Sequence, residues 1–256
     1  MAEEIRINKY LSQAGVCSRR AADTLINEGR VEVDGEKAVM GTKVAEGSKV
    51  FVDGKEVYPV SKKIILVFNK PRGIVVTAAD PKSTDTNIID YINYKERIFP
   101  VGRLDKDSSG LILLTNDGEM TNEILKARNF HEKEYEVTVN KAVTSSFIKG
   151  MSEGVPILDT VTRPCKVRKT GPRSFNIILT QGLNRQIRRM CEYFDFKVTE
   201  LRRIRIMNID LGDLPEGRYR ELTKDELEAL KKGLSGKSDG KVCERKKKDG
   251  GTHRRS

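Results

Sequence analysis

Residues 101–116 read Val-Gly-Arg-Leu-Asp-Lys-Asp-Ser-Ser-Gly-Leu-Ile-Leu-Leu-Thr-Asn. The stretch has two unlike halves. Between Gly102 and Gly110 it is polar and charged; from Leu111 to Leu114 it is wholly apolar. An uninterrupted apolar run this short, opened by a glycine, predicts a buried strand. A strand held in a core anchors the loop before it more firmly than a surface segment would, so Arg103 and Asp105 are expected on a braced loop at the strand's mouth. Asp105 to Gly110 also imitates the start of a calcium loop, with acids at its first and third positions and glycine at its sixth. Asn116 stands where such a loop needs glutamate, and an apolar run replaces the exiting helix, so calcium is not expected. The plain local reading is an aspartate-rich turn whose carboxylates accept backbone N–H groups, and it is kept for Asp107.

Three further segments stand out: Asn69-Lys-Pro-Arg-Gly73, Lys133-Glu-Tyr-Glu-Val-Thr-Val139 and Gly182-Leu-Asn-Arg-Gln-Ile-Arg-Arg-Met190. Together with GRLDKDSSGLILLTNDG, and in this order, they resemble the bacterial pseudouridine synthases that act on single ribosomal RNA sites. The likeness spans roughly residues 3 to 230 and is strongest to the large-subunit branch, some of whose members also modify a tyrosine tRNA. It implies an isomerase that breaks the N1 glycosidic bond of a uridine and rejoins the base through C5, with no cofactor and no metal. It further implies that Asp105 is the nucleophile, that Tyr135 is the active-site tyrosine and that Arg188 is the ion-pair partner of the aspartate.

Chemistry gives each of these residues a reason. A carboxylate acts as nucleophile only while ionised, and an adjacent guanidinium favours the anion and fixes its direction. A uridine inside helical RNA must leave its stack to be reached, and Arg103, carried over as an RNA contact, has a plane that can fill the vacated place. Tyr135 offers an aromatic face for the base and a phenol for proton transfer, two roles the sequence does not separate. Read locally, Tyr135 is an ordinary strand aromatic, and Arg185, Arg188 and Arg189 form a solvated helix face. In the helix expected over residues 184–194, Ile187, Met190, Cys191 and Phe194 make the apolar stripe, with Arg185 and Arg188 facing away from it. Lys70 and Arg72 are expected to add phosphate contacts from the opposite wall of the cleft, and Arg185 and Arg189 from the near one.

The first 60 residues predict two small helices, the second after Ser18, and strands closing in Asp34-Gly35 and Asp53-Gly54 turns. The segment from Ile7 to Gly35 resembles the S4 RNA-binding domain, which implies phosphate contacts from Lys9, Arg19, Arg20 and Arg30. Nine basic and ten acidic residues stand in these 60 positions, so binding has to come from how the charges are sorted and not from their sum.

The chain of 256 residues carries a net charge of +11, of which the stretch 231–256 supplies +7 with ten basic and three acidic residues. The remainder is only mildly basic, so a polyanionic partner is an expectation of the motifs more than of the bulk charge. Four cysteines, at 17, 165, 191 and 243, form no CxxC, and there are two histidines, so no zinc site is expected. Scattered thiols, no signal-like segment and no long apolar run point to a reduced, cytoplasmic setting away from membranes.

The resulting expectation is an α+β chain in three parts. An S4-like unit with its linker spans 1–60, a mixed or antiparallel-sheet catalytic domain spans 61–232, and a disordered basic tail spans 233–256. The partners expected are ribosomal RNA and a tRNA, bound by a monomer. The alternatives are a small-subunit rRNA target, a non-catalytic ribosome-associated RNA binder, and an RNA methyltransferase. The last is weakened by the absence of a glycine-rich cofactor loop.

Overall fold

The structure is a computed structural model that describes residues 4–77, 84–126 and 130–235. The N-terminal unit runs β1 (Ile5–Arg6), α1 (Ile7–Gln13), α2 (Arg19–Asn27), β2 (Val31–Val33), β3 (Glu36–Lys37), β4 (Lys43–Val44), β5 (Val50–Val52) and β6 (Lys55–Glu56). Ser18 caps α2 by accepting from the Ala21 N–H, which satisfies one of the free donors at the helix start. The two expected Asp-Gly turns close β2 on β3 and β5 on β6. Asp34, Gly35, Asp53 and Gly54 all have positive φ, the conformation a two-residue hairpin needs to match strand twist. Ile7, Leu11, Ala22, Ile26, Val31 and Val50 form a small core beneath this unit.

The second unit begins with β7 (Ile65–Lys70), α3 (Ile88–Ile92), β8 (Phe99–Pro100), β9 (Ser109–Thr115), α4 (Gly118–Leu125) and β10 (Lys133–Val139). There follow α5 (Ser145–Glu153), β11 (Pro156–Ile157), β12 (Thr160–Val161), β13 (Lys166–Gly171), β14 (Ser174–Leu179) and α6 (Gln186–Tyr193). The described chain ends with β15 (Val198–Ile206), β16 (Ile209–Asp210), β17 (Tyr219–Glu221) and α7 (Lys224–Ser235). Seven strands run in the order β13-β14-β10-β15-β9-β7-β17, with β16 added to β15 and β8 to β9. Every pair along this path is antiparallel except β15 with β9.

The apolar run of the focal stretch is the strand β9, and it is buried on both faces. Ile112 and Leu114 pack with Leu66, Phe68 and Ile88 on one side. Leu111 and Leu113 pack with Val67, Ile206 and Leu230 on the other. Two-sided burial is why the run does not alternate with polar residues. A separate core gathers Val137, Phe147, Phe175, Ile177 and Met190 around the far half of the sheet, so Tyr135, which touches both that core and the one under β7 and β9, sits at the seam.

No element is expected from the sequence between β10 and β13, where the structure has the helix α5 and the hairpin β11–β12. Gly150 is there for contact: a Cβ on it would lie 2.6 Å from the Phe194 ring. The last helix, α7, runs to Ser235, since Leu230 is fully buried and Leu234 packs one turn later in the same core. Thr223 and Glu226 exchange hydrogen bonds at its start, 2.9 and 3.2 Å, the reciprocal capping that its sequence announces. Residues 236–256, the bulk of the expected basic tail, lie outside the described residues.

The two units touch. The Val60 N–H donates to the Gln13 carbonyl at 3.0 Å, Lys9 pairs with Glu119 at 2.6 Å, and Arg97 donates to Ser12 Oγ at 3.4 Å. The register of β9 is fixed by a closer contact. Gly110 stands opposite Arg203 of β15 with φ +100°, and an added Cβ would fall 2.2 Å from the Arg203 carbonyl oxygen. Gly110→Ala is therefore expected to cost more than about 3 kcal/mol. Urea unfolding followed by circular dichroism measures it, and a midpoint within experimental error of the wild type would disprove the contact.

Candidate active site

The focal loop runs from Gly102 into β9 and is held at several points. The Ser108 N–H donates to the Asp105 carbonyl at 3.0 Å, closing a tight turn, and the Gly73 N–H donates to the Lys106 carbonyl at 2.8 Å, clasping the loop to the earlier turn. Leu104 and Ser108 are buried while Arg103, Lys106 and Asp107 are exposed. Asp105 is intermediate: its side chain is 36% accessible and its carboxylate lies 3.8 Å from Arg185.

That pairing corrects the expected one. Arg188 makes no ion pair with Asp105 among the described residues. It is 8% exposed and donates to the Asp107 carbonyl at 3.2 Å, to Ser108 Oγ at 3.3 Å and to the Val198 carbonyl at 3.4 Å. Burial, and after it the neighbouring Arg185, push the guanidinium down from its usual range, while Asp105 and Asp107 oppose them. Arg188 thus braces the loop from below. The apolar stripe of α6 does not exclude it, because the helix is buried over Gln186, Ile187, Arg188, Met190 and Cys191. Arg185, immediately before the helix, takes a left-handed conformation with φ 50°, an unfavourable one for a residue with a side chain. That backbone position sets its guanidinium beside Asp105.

Lys70 is also not where a phosphate contact would need it. It is fully buried, its ammonium donating to the Pro71 and Ile74 carbonyls at 2.8 Å each. Burial pushes its pKa down to about 8, with Asp105 and Asp107 partly restoring it. Its register opposite Gly110 turns it inward, where it ties the 71–74 turn that clasps the loop. Arg72 remains exposed on that turn. Arg189 folds back on Asn184, through the backbone carbonyl at 3.2 Å and Oδ1 at 3.4 Å. In the N-terminal unit Arg19 and Arg20 are exposed. Arg30 is held bidentately by Asp53 at 2.8 and 2.7 Å, and Lys9 is engaged by Glu119.

A cleft of about 500 Å³ joins the loop to the sheet; Arg103, Asp105, Lys133, Tyr135, Arg185 and Arg203 all line it. Strand alternation brings Lys133 and Tyr135 to the same face of β10. Arg203, opposite Tyr135 on β15, is 3% exposed. It donates to the Leu111 carbonyl at 2.7 Å and lies 6.0 Å from the centre of the Tyr135 ring. Neither Arg203 nor Lys133 was foreseen. The alternation that places Tyr135 was available for Lys133, but the approach of β15 to β9 that buries Arg203 has no local signature.

The arrangement is a carboxylate at the lip of a basic cleft with an aromatic ring on its floor. A family model described as RNA pseudouridylate synthase matches residues 64–193, and one for the S4 domain matches residues 5–50. The chain belongs to the RNA pseudouridylate synthase family. It is 53% identical over 235 residues to the dual-specificity RNA pseudouridine synthase RluF of Salmonella typhi, covering 91% of this chain and 81% of that one. It is 34% identical over 233 residues to the ribosomal large subunit pseudouridine synthase B of Bacillus subtilis (strain 168), covering 88% and 95%. A crystal structure titled as a pseudouridylate synthase superposes with a TM-score of 0.66 at 27% identity, over 88% of this chain and 99% of that one. The protein is an RNA pseudouridine synthase with an N-terminal S4 domain. No group of three or more potential ligands that could hold a metal ion occurs among the described residues, and none of their helices is long and apolar enough to cross a membrane.

Arg188 of α6 and Arg185 just before it should separate cleanly. Arg188→Ala leaves buried loop acceptors unpaired and is expected to cost about 2–4 kcal/mol of stability, together with activity. Arg185→Ala, which removes a half-exposed pair, should change stability by no more than about 0.5 kcal/mol while still slowing turnover. Paired denaturant titrations and single-turnover assays test this; equal stability losses would refute the assignment.

Proposed function

We propose that this synthase isomerises a specific uridine of 23S ribosomal RNA, and a uridine of tyrosine tRNA as a second substrate, through nucleophilic attack by Asp105 after the base has been flipped. The observation that carries the reading is the single cleft shared by Asp105, Tyr135 and basic side chains. The RNA target is supported by similarity to a ribosomal large subunit synthase and to dual-specificity synthases.

Arg103, exposed at the rim of the cleft, contacts the RNA backbone and occupies the space the uridine leaves. Extrusion costs a few kcal/mol, which a stacked guanidinium partly offsets. The base settles on the Tyr135 ring, and the Asp105 carboxylate, aimed by Arg185, meets C1′ of the sugar. The electron pair of the N1–C1′ bond stays with the base, which turns and bonds C1′ through C5 as the carboxylate leaves C1′ with its own electron pair. The C5 proton is lost and N1 gains one, so uridine and product are isomers. Arg188 acts through the loop as a positioning residue, and Arg72, Arg185 and Arg189 supply positive field along the walls.

The division into a clamp at residues 1–60 and a catalytic unit at 61–232 belongs to the same reading. Lys9, Arg19, Arg20 and Arg30 track phosphates from the clamp, with Arg19 and Arg20 contributing most because no carboxylate holds them among the described residues. Cys17, Cys165 and Cys191 are free thiols, which suits a reducing cytoplasm, and the synthase acts there as a monomer without cofactor or metal.

Asp105→Asn is expected to fold and to bind RNA but to release no tritium from RNA labelled at C5 of uridine; release at the wild-type rate would sink the nucleophile. Arg19→Ala with Arg20→Ala should weaken binding of structured RNA and lower the salt slope by about two phosphate contacts, with the rate at saturating RNA unchanged. Filter binding across a salt series, beside the same release assay, distinguishes a clamp from a catalytic role.

A further inference from the structure

One wall of the cleft carries hydrogen-bond donors with nothing to donate to. Lys133 has no carboxylate within 4 Å among the described residues, and its one polar contact is a long 3.4 Å bond to the His131 carbonyl. Beside it, Gln181 Nε2 and one terminal nitrogen of Arg203 are buried without a partner, and so is His131 Nε2. All four residues line the cleft that holds Asp105 and Tyr135. Burial, aided by Arg203, pushes the Lys133 pKa down to about 8. A cation left half-buried and unpaired is costly unless a ligand completes it. The missing partner is an acceptor that carries or acquires negative charge on the face of Tyr135.

We propose that Lys133 is a further catalytic residue of this enzyme, its ammonium donating to a carbonyl oxygen of the uracil ring and stabilising the negative charge that the base takes on when N1–C1′ breaks. The inference rests on the reading of this cleft as the active site. The electron pair left by bond cleavage spreads over N1, O2 and O4 and returns through C5 to C1′ in the new bond as the Asp105 carboxylate leaves, which makes the ring neutral; C5 then loses its proton and N1 gains one. The charge therefore exists only between two covalent states of the base. A fixed donor that meets it there lowers the barrier without tightening substrate binding. Gln181 and Arg203 stand where they can hold the base as it turns.

The charged and titratable groups facing the same space are Arg103 and Asp105 from the loop, Lys126 after α4, His131 before β10, Tyr135 on β10, Arg203 on β15 and Arg185 before α6. Lys126 is paired with Glu123. Burial lowers the His131 pKa below its usual range, so the imidazole is neutral where Lys133 titrates. Loss of the Lys133 proton should slow the reaction as pH rises through about 8.

The test is single-turnover tritium release at saturating RNA for the full-length enzyme with Lys133→Met and Lys133→Gln. Both variants are expected to lose about 100-fold in rate with RNA affinity and its salt dependence unchanged, and to lose the alkaline decline of the wild type. Sulfur in place of the contacted uracil oxygen, supplied as 2-thiouridine or 4-thiouridine at the target, should slow the wild type and leave the variants unaffected. Wild-type rates in a folded variant would overturn the proposal. So would a defect confined to affinity with a salt slope shallower by one contact, the mark of a backbone phosphate. Persistent release by Asp105→Asn would instead overturn the reading of the cleft.

Discussion

The backbone contact between Gly110 and Arg203 is the constraint on which the site depends. It joins β9 to β15 in the sheet's parallel pairing, and so joins the half of the sheet built on β7 to the half built on β10 and β14. Because no side chain stands at Gly110, the strands approach closely enough for Arg203 to reach the Leu111 carbonyl and for Tyr135 to lie over the seam between two cores. The loop that carries Asp105 is the chain that immediately precedes this contact. Any slippage of β9 would move Asp105 relative to the ring and the arginines.

Around that joint the protein uses buried cations as struts. Lys70 and Arg188 are both removed from solvent and both bonded to main-chain oxygens: Lys70 within the 71–74 turn, and Arg188 to the focal loop and to β15. The charges of Asp105 and Asp107 favour both cations and partly oppose the effect of burial. Cations used in this way cost desolvation and return rigidity, which suits a loop that must present a carboxylate in one direction. The arginines left exposed are different ones: Arg103 and Arg72 on the rim, Arg185 just before α6, and those of the S4 unit.

Much of this was legible in the residues. The apolar run after Gly110 announced β9, the Asp-Gly pairs announced two hairpins, and Thr223 with Glu226 announced the last helix. Each of these signals is local: a period, a turn chemistry or a capping pair. The errors share the opposite character. The helix α5 went unread: Gly150 weakens its local signal, and the Phe194 ring that Gly150 makes room for is 44 residues away in sequence. Arg188 was read as facing outward because helix periodicity counts apolar residues and takes no account of a loop that offers carbonyls to a buried guanidinium.

By itself the sequence determined the family and singled out Asp105, Tyr135 and the arginine-rich helix as candidates, since motif order and hydrophobic period survive without coordinates. Only the tertiary structure decided which arginine faces Asp105, that Lys70 is a strut and that Lys133 stands in the cleft without a carboxylate partner among the described residues. Those outcomes follow from strand register and from competition among acceptors distant in the chain. A side chain's partner is chosen by what else is buried beside it, and the linear order does not record that.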